Sequence, residues 1–390
     1  MRSCAWFAPG RANLMGEHTD YNEGLVLPFA LAQGVTTTAY ARTDGLLVMR
    51  SKQMRDDVVS VPVASLAPGS VPGWAAYPAG VAWALREAGF DIPGASLEVD
   101  SDLPVGAGVS SSAALECSAA LALCFLAGVS VPRRALAAIA RRAENDFVGA
   151  PTGIIDQHAS LLCEAGHAML LDCATREITH VPFRPSAGGT AALIIDTRVT
   201  HALISGEYGQ RRAECEQAAR SLGVPFLGRI ANVTEAERLP DPVLRRRARH
   251  VISDDARARA IVSALRPAVP SGISGASGFS SRGAASGTPH QESETYRFVG
   301  EMLTQAHISL RDDFEVSWPQ ADLTVEVAAA AGALGGRMIG GGFGGSVLAL
   351  VPVDRLAAVC AAVTEAFVSR SWRPPEFLHA VPSAAARRIA

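Results

Sequence analysis

The chain has 390 residues, enough for two or three domains of about 150 residues each and for a sizeable core. Its formal charge is −3, from 35 basic and 38 acidic residues, so it lacks the basic excess that a nucleic-acid phosphate backbone selects. Lys52 is the sole lysine and sits in Arg-Ser-Lys-Gln-Met, which excludes a G-x-x-x-x-G-K-S/T phosphate loop and leaves pyridoxal or protein-kinase chemistry no suitable lysine.

In chain order, Met1–Pro9 has no apolar core of a secretory signal. Aliphatic and β-branched residues predict strands over Leu25–Ala32, Val35–Tyr40 and Leu46–Arg50. A helix is predicted over Tyr77–Ala88 and a short strand over Ser96–Val99. Helices follow over Ala113–Ala127 and Arg133–Asn145, separated by Gly128 and Pro132. Ala113–Val131 carries one charge, Glu116, and has about the length of a membrane span. It lacks flanking aromatic anchors, so a buried helix is the better reading. Pro182–Gly189 is the predicted boundary between residues 1–186 and 187–390. Beyond it come a strand over Ala191–Asp196 and helices over Glu207–Leu222 and Pro242–Leu265. Residues 267–293 are rich in Gly, Ser and Pro and read as a mobile surface insertion. Helices over Glu294–Ser309 and Leu323–Ala331, a strand–glycine loop–strand unit across Gly336–Val351 and a helix over Asp354–Ser369 complete the chain. The seven cysteines are odd in number and form no C-x-x-C, which reads as reduced thiols in a cytoplasmic protein.

Four stretches carry chemistry. The run Gly10-Arg11-Ala12-Asn13-Leu14-Met15-Gly16-Glu17-His18-Thr19-Asp20-Tyr21-Asn22 places guanidinium, carboxylate and imidazole groups within ten positions, between apolar segments that draw it inward. Such a set suits several sugar hydroxyls at fixed angles. A solvated turn or a metal site at Glu17, His18 and Asp20 are the competing readings, and Arg11 opposes a cation there. The second stretch, Gly106-Ala107-Gly108-Val109-Ser110-Ser111-Ser112-Ala113, leads into a helix whose free N–H groups favour an anion. Capping by one serine is the simpler alternative. The third, Gly340-Gly341-Gly342-Phe343-Gly344-Gly345, matches a dinucleotide fingerprint literally, but a strand follows where a helix is required. It therefore reads as close backbone approach to a ligand or another loop. In the fourth, Gly153-Ile154-Ile155-Asp156, the aspartate is either an N-cap or a carboxylate that orients or deprotonates a hydroxyl.

Together these stretches resemble the GHMP small-molecule kinases, and among them the galactokinases. Stretches around Glu207–Glu216, Arg247–Val251 and His307–Ser317 extend the resemblance almost end to end. The resemblance implies an α+β fold: an N-terminal α/β domain with a left-handed βαβ crossover, a C-terminal ferredoxin-like domain, and a site in the cleft between them. It implies that ATP phosphates lie on Gly106, Gly108, Ser110, Ser111, Ser112 and Ala113, with Gly341 and Gly342 also at the nucleotide. Mg²⁺ would be held by Ser112 or Ser111 and by Glu144. Glu17, His18, Asp20, Gly153 and Tyr208 would bind the sugar. Asp156 would act on the C1 hydroxyl of α-D-galactose, and Arg11 would stabilise transition-state charge. The expected partners are galactose and ATP, with neither nucleic acid nor membrane, and the expected state is a monomer or weak homo-oligomer. The lead before the signature is shorter than galactokinases usually carry, so either a missing edge element or an upstream start is expected. Rival readings are a kinase of N-acetylgalactosamine or arabinose, a non-catalytic sugar sensor, and a dinucleotide oxidoreductase. The complete Ser110–Ala114 run, with Arg11 and Asp156, favours catalysis over the sensor.

Overall fold

The aliphatic runs pair into two principal sheets, one built almost wholly before residue 102 and the other after residue 189. A computed structural model describes residues 2–54, 57–104, 106–150, 152–200, 205–266 and 289–390. Its strands are β1 (Ser3–Asn13), β2 (Leu25–Val26), β3 (Pro28–Arg42), β4 (Leu46–Ser51), β5 (Val58–Pro62), β6 (Gly94–Ser101), β7 (His167–Asp172), β8 (Ile178–Pro182), β9 (Thr190–Val199), β10 (Gly335–Ile339), β11 (Gly345–Pro352), β12 (Glu376–His379) and β13 (Arg387–Arg388). Its helices are α1 (Ala76–Glu87), α2 (Ser111–Ala127), α3 (Arg133–Arg142), α4 (Ile155–Leu162), α5 (Ser205–Leu222), α6 (Pro242–Leu265), α7 (Pro289–Asp312), α8 (Pro319–Ala330) and α9 (Leu356–Val368).

The first sheet has the order β13-β1-β3-β6-β4-β5, antiparallel except for the parallel β4–β6 pair. The exposed ion pair between Lys52 Nζ and Asp100 Oδ2, 2.6 Å long, lies where β4 and β6 end. The second sheet has the order β10-β11-β9-β12 and is antiparallel throughout. Taking its strands in chain order, with helices between β9 and β10 and between β11 and β12, this is the β-α-β-β-α-β arrangement of a ferredoxin-like unit. A small third sheet joins β2, β7 and β8.

Helix α2 shows how burial follows from sequence. It is alanine-rich, a strong helix former, and apolar on all sides, so it has no face to give to water. It ends at Gly128, which takes a left-handed C-terminal conformation with φ 73°. Its apolar residues pack with those of α1, β4 and β6 in one core. A second core is continuous across both halves of the chain: Leu14, Leu27 and Phe29 share it with Ile194, Val299, Ile339 and Leu348. A third lies between the second sheet and the helices around it. Among the described residues no helix is long and apolar enough to cross a membrane.

Several expectations are corrected. The segments 25–32 and 35–40 are not two equal strands. Leu25–Val26 is a short strand of its own, and Pro28–Arg42 runs through as one. The helix predicted to Asn145 ends at Arg142 and continues as a π-helical turn over Ala143–Val148. Of the expected insertion, residues 267–288 lie outside the described residues. Residues 289–293 belong to α7, whose first position is a proline, a residue well suited to start a helix. The apolar strand expected before the signature is β1, which runs on into the polar signature as far as Asn13.

Candidate active site

Strand β1 delivers Arg11 through a bulge. The β1–β3 register shifts between Pro9 and Arg11, which redirects the side chain that follows. Arg11 is 8% exposed. Its Nε donates to Asp156 Oδ1 at 2.8 Å and its Nη1 to the Gly108 carbonyl at 2.6 Å. Among the described residues, Arg11 Nη2 and Asp156 Oδ2 have no hydrogen-bond partner. Asp156 lies in the first turn of α4 but does not cap it. The N-cap position is Ile154, so the capping alternative fails.

On one side of this pair lies the serine run. Ser110 takes a left-handed conformation (φ 58°, ψ 50°) at the head of α2 and makes no capping hydrogen bond, so simple capping fails here too. Its Oγ is buried without a partner among the described residues. Ser112 Oγ donates to Glu144 Oε1 at 2.9 Å. Glu144 Oε2 accepts from Thr152 Oγ1 at 2.8 Å and from Gln157 Nε2 at 2.7 Å. Burial first, and then the Asp156 charge, raise the Glu144 acid above the usual carboxylate range, and the three hydrogen bonds oppose them. Gln157 Nε2 also donates to the buried Glu116 at 2.9 Å. Ser111 is half-buried, Ala113 is buried and Gly106 is exposed.

The glycine run closes over this loop. Ser346 Oγ donates to the Ala107 carbonyl at 2.7 Å. A Cβ on Gly342 would lie 2.5 Å from the Val316 carbonyl, and its φ is +86°, so only glycine fits there. Gly341 lies against the Tyr208 ring. Of the two sequence readings for this run, close approach to other protein segments is what the contacts display.

On the other side of the Arg11–Asp156 pair, the signature forms a loop with a short 3₁₀ turn at Asp20–Asn22. A Cβ on Gly153 would sit 1.4 Å from Asp20 Oδ2, so these two predicted residues meet and exclude any larger side chain. Burial, with Asp156 and Glu17 nearby, raises the Asp20 acid to about 6, opposed in part by the Tyr21 backbone amide. His18, at φ 63°, packs against Phe314, Tyr208 and Tyr21, with ring centroids 4.7, 5.3 and 5.9 Å away. Its Nδ1 meets the Tyr21 hydroxyl at 2.9 Å, and its Nε2 is buried without a hydrogen-bond partner among the described residues. Burial, together with nearby His250, lowers its pKa to about 3, which keeps the imidazole neutral; the Gly341 backbone opposes part of that shift. Tyr208 is pushed well above 10 by burial and the Asp20 and Asp156 charges.

Glu17 differs from its neighbours. Its Oε1 accepts from the Gly340 amide at 2.9 Å and from Arg337 Nη2 at 3.3 Å. Arg337 is fully buried and also donates to the Asn13 and Leu14 carbonyls. Glu17 is thus an anchor between the signature and the glycine run, whatever else it contacts. Among the described residues no group of three or more His, Cys, Asp or Glu is placed to hold a metal ion, so Glu17, His18 and Asp20 are not a ligand set. A separate cavity of about 550 Å³, lined by Leu25, Asp172, Arg259 and Arg266 among others, includes none of the predicted site residues.

Arg337, Phe314, Gln157 and Thr152 fall inside the motif stretches 337–346, 307–317 and 149–158, but sequence reasoning gives them no role. Arg337 alone left a usable signal, a charge in the otherwise apolar segment Gly335–Ile339, which must find a partner.

A ferredoxin-like half joined to an α/β half, with a serine-rich helix entrance facing a glycine run, defines a GHMP-type small-molecule kinase. The chain matches the family models for the GHMP kinases N terminal domain over residues 76–164 and GHMP kinases C terminal over 292–369. Residues 2–41 match the galactokinase galactose-binding signature. It is 46% identical to a galactokinase of Streptomyces coelicolor over 98% of this chain and 94% of that protein. It is 39% identical to one of Mycobacterium tuberculosis, over 94% and 97% respectively. The crystal structure of Lactococcus lactis galactokinase complexed with galactose superposes with a TM-score of 0.88 at 29% identity, covering 100% of this chain and 95% of that one. The chain belongs to the galactokinase family.

Proposed function

We infer that this enzyme transfers the γ-phosphoryl group of ATP to the C1 hydroxyl of α-D-galactose, giving galactose 1-phosphate and ADP. The observation that carries the residue assignment is the Arg11 guanidinium, which touches both the Asp156 carboxylate and the carbonyl of Gly108 in the serine loop. One group therefore spans the acceptor side and the phosphate side.

Asp156 Oδ1 is engaged by Arg11, which leaves Oδ2 to accept the C1 hydroxyl proton. The hydroxyl oxygen then bonds to the γ-phosphorus in line, and the bond to the β-bridging oxygen breaks with its electron pair going to ADP. Arg11 Nη2 is available to the charge on the transferring group. The phosphates rest on Gly106, Gly108, Ser110–Ser112 and Ala113, with the α2 N–H groups and the unpartnered Ser110 hydroxyl facing them. Gly341 and Gly342 close this wall. Ser112 and Glu144 suit magnesium: both offer hard oxygen atoms, and a carboxylate destabilised by burial gains from a cation. When bound, the ion would neutralise charge on the ATP phosphates.

Asp20 and the neutral His18 and Tyr208 contact the sugar hydroxyls, with Gly153 leaving room for the ring and Glu17 closing the loop. We further infer a working division at residues 186/187. The seven unpaired cysteines support a cytoplasmic setting.

The test is ATP-dependent phosphorylation of a panel of free sugars with Mg²⁺, scored by ADP release and by the identity of the sugar phosphate. Galactose 1-phosphate should form with galactose far ahead of glucose and N-acetylgalactosamine. Galactose binding without ADP release, or another sugar in the lead, would overturn the reading.

A further inference from the structure

The stretch Arg247–Val251 lies on α6, outside the site just described. One face of α6 nevertheless lies on the sugar loop. His250 Nε2 donates to the Glu17 carbonyl at 3.1 Å, Asp254 Oδ2 accepts from the Gly16 amide at 3.1 Å, and Asp255 Oδ1 accepts from the Leu25 amide at 2.6 Å. His250 and Asp254 are i and i+4 and stack on one face, and Asp255 lies about 100° further round the helix. All are buried, at 0%, 0% and 4% exposure. Their partners bracket the loop: Gly16 and Glu17 enter it and Leu25 leaves it.

The loop they bracket is strained in a way that needs support. His18 adopts a left-handed φ of 63°, uncommon for a side-chain-bearing residue. The carbonyl of Glu17, the peptide preceding it, is the group that His250 holds. That carbonyl can only accept, so His250 carries a proton on Nε2, and its Nδ1 lies 3.0 Å from the Ser309 hydroxyl, which in turn donates to Asp313 Oδ2 at 3.2 Å. Arg257 Nη1 holds the other oxygen of Asp254 at 2.8 Å. Each of the three side chains is thus fixed from behind or by burial, and aimed at backbone atoms of this one loop.

Resting on the reading that Glu17, His18 and Asp20 face the sugar, we propose that His250, Asp254 and Asp255 are positioning residues that set sugar affinity by holding the Gly16–Leu25 backbone, without touching the sugar. The positions of Asp20 and His18 are inherited from the two ends of the loop, so release of either end spreads the hydroxyl contacts while leaving the nucleotide side intact.

The experiment compares Asp254→Ala and Asp254→Asn, and likewise for Asp255, by steady-state kinetics with each substrate varied in turn. The alanine variants should raise the KM for galactose about tenfold or more with the KM for ATP within about twofold. The asparagine variants retain a side-chain carbonyl able to accept the same amide, and should return galactose KM to within about threefold of the parent. Equal increases for both substrates, or asparagine no better than alanine, would overturn the proposal as mere loosening of the fold. Asp20→Ala is run alongside. If galactose KM is unmoved there as well, the sugar-site reading itself has failed. If it moves there and not in the α6 variants, only the positioning role has failed. Should the alanine variants not fold, hydrogen exchange on the parent decides: Gly16 and Leu25 amides protected like β3 uphold the clamp, and exchange at exposed-loop rates overturns it.

Discussion

At the serine-run end of the site, polar groups find partners close by in the first half of the chain: Ser112 with Glu144, and Glu144 with Thr152 and Gln157. At the signature end, the partners come from 230 to 323 residues away, as with Leu25 and Asp255, Gly16 and Asp254, and Glu17 with Arg337 and Gly340. The Ser112–Glu144 side of the proposed phosphate wall is therefore assembled by neighbouring elements of one half, with the glycine run of the second half closing over it where Ser346 Oγ meets the Ala107 carbonyl. The backbone anchors of the proposed sugar-facing loop come from the second half. Changes far along the chain should accordingly disturb sugar recognition before they disturb nucleotide binding.

The largest expected effect falls where the two ends meet. Asp156→Asn removes the proposed proton acceptor and should lower kcat by about 10³-fold or more with little change in thermal stability. A rate near that of the parent in a steady-state assay would remove Asp156 from the chemistry. Next, Arg337→Met should leave the Glu17 carboxylate buried without its cation and cost about 3–5 kcal/mol in urea unfolding. Pairing it with Glu17→Gln should recover part of that loss, since the stranded charge is then gone. If the double variant is no more stable than Arg337→Met alone, the anchor is not electrostatic.

Gly153→Ala tests the sugar wall directly. Its Cβ would lie 1.4 Å from Asp20 Oδ2, so Asp20 must move. The galactose KM should rise about 10- to 100-fold while the ATP KM stays put. An equal rise in both would show that the two ends are not separable.

The smallest effect is on pH dependence. With an Asp20 pKa near 6, acidification to pH 5 leaves about a tenth of the carboxylate ionised, and galactose KM should rise by up to about tenfold. Asp20→Asn should flatten that limb. Stability should run the other way for this group. The folded chain holds the proton more tightly than the unfolded chain does, so its contribution to stability falls as pH rises from the ordinary value of 3.8 to about 6.

The local end was the more legible from sequence. Three consecutive serines after spaced glycines point to a helix start, and a helix does run over Ser111–Ala127. The proximity of Asp20 to Gly153 was legible only through resemblance, because nothing in either segment alone brings them together. The anchors of the signature were not legible. Hydrogen bonds between a backbone amide and a carboxylate 238 residues away leave no periodicity to read, and Asp254 and Asp255 look like ordinary helix-surface acids in an arginine-rich stretch. The far end of strand β1 is illegible for a related reason: its alternation breaks at the bulge that serves Arg11.

The Lys52–Asp100 pair has a practical consequence. As the sole lysine, Lys52 is the one side-chain amine in the chain, and it stands in water with its partner rather than among the Arg11, Asp156, Ser112 and Glu144 contacts. Acylating, glycating or cross-linking reagents that seek primary amines will therefore mark a single side chain. A fluorophore or surface tether attached there leaves Arg11, Asp156, Ser112 and Glu144 unlabelled, with the N-terminal α-amine the other primary amine to protect or control.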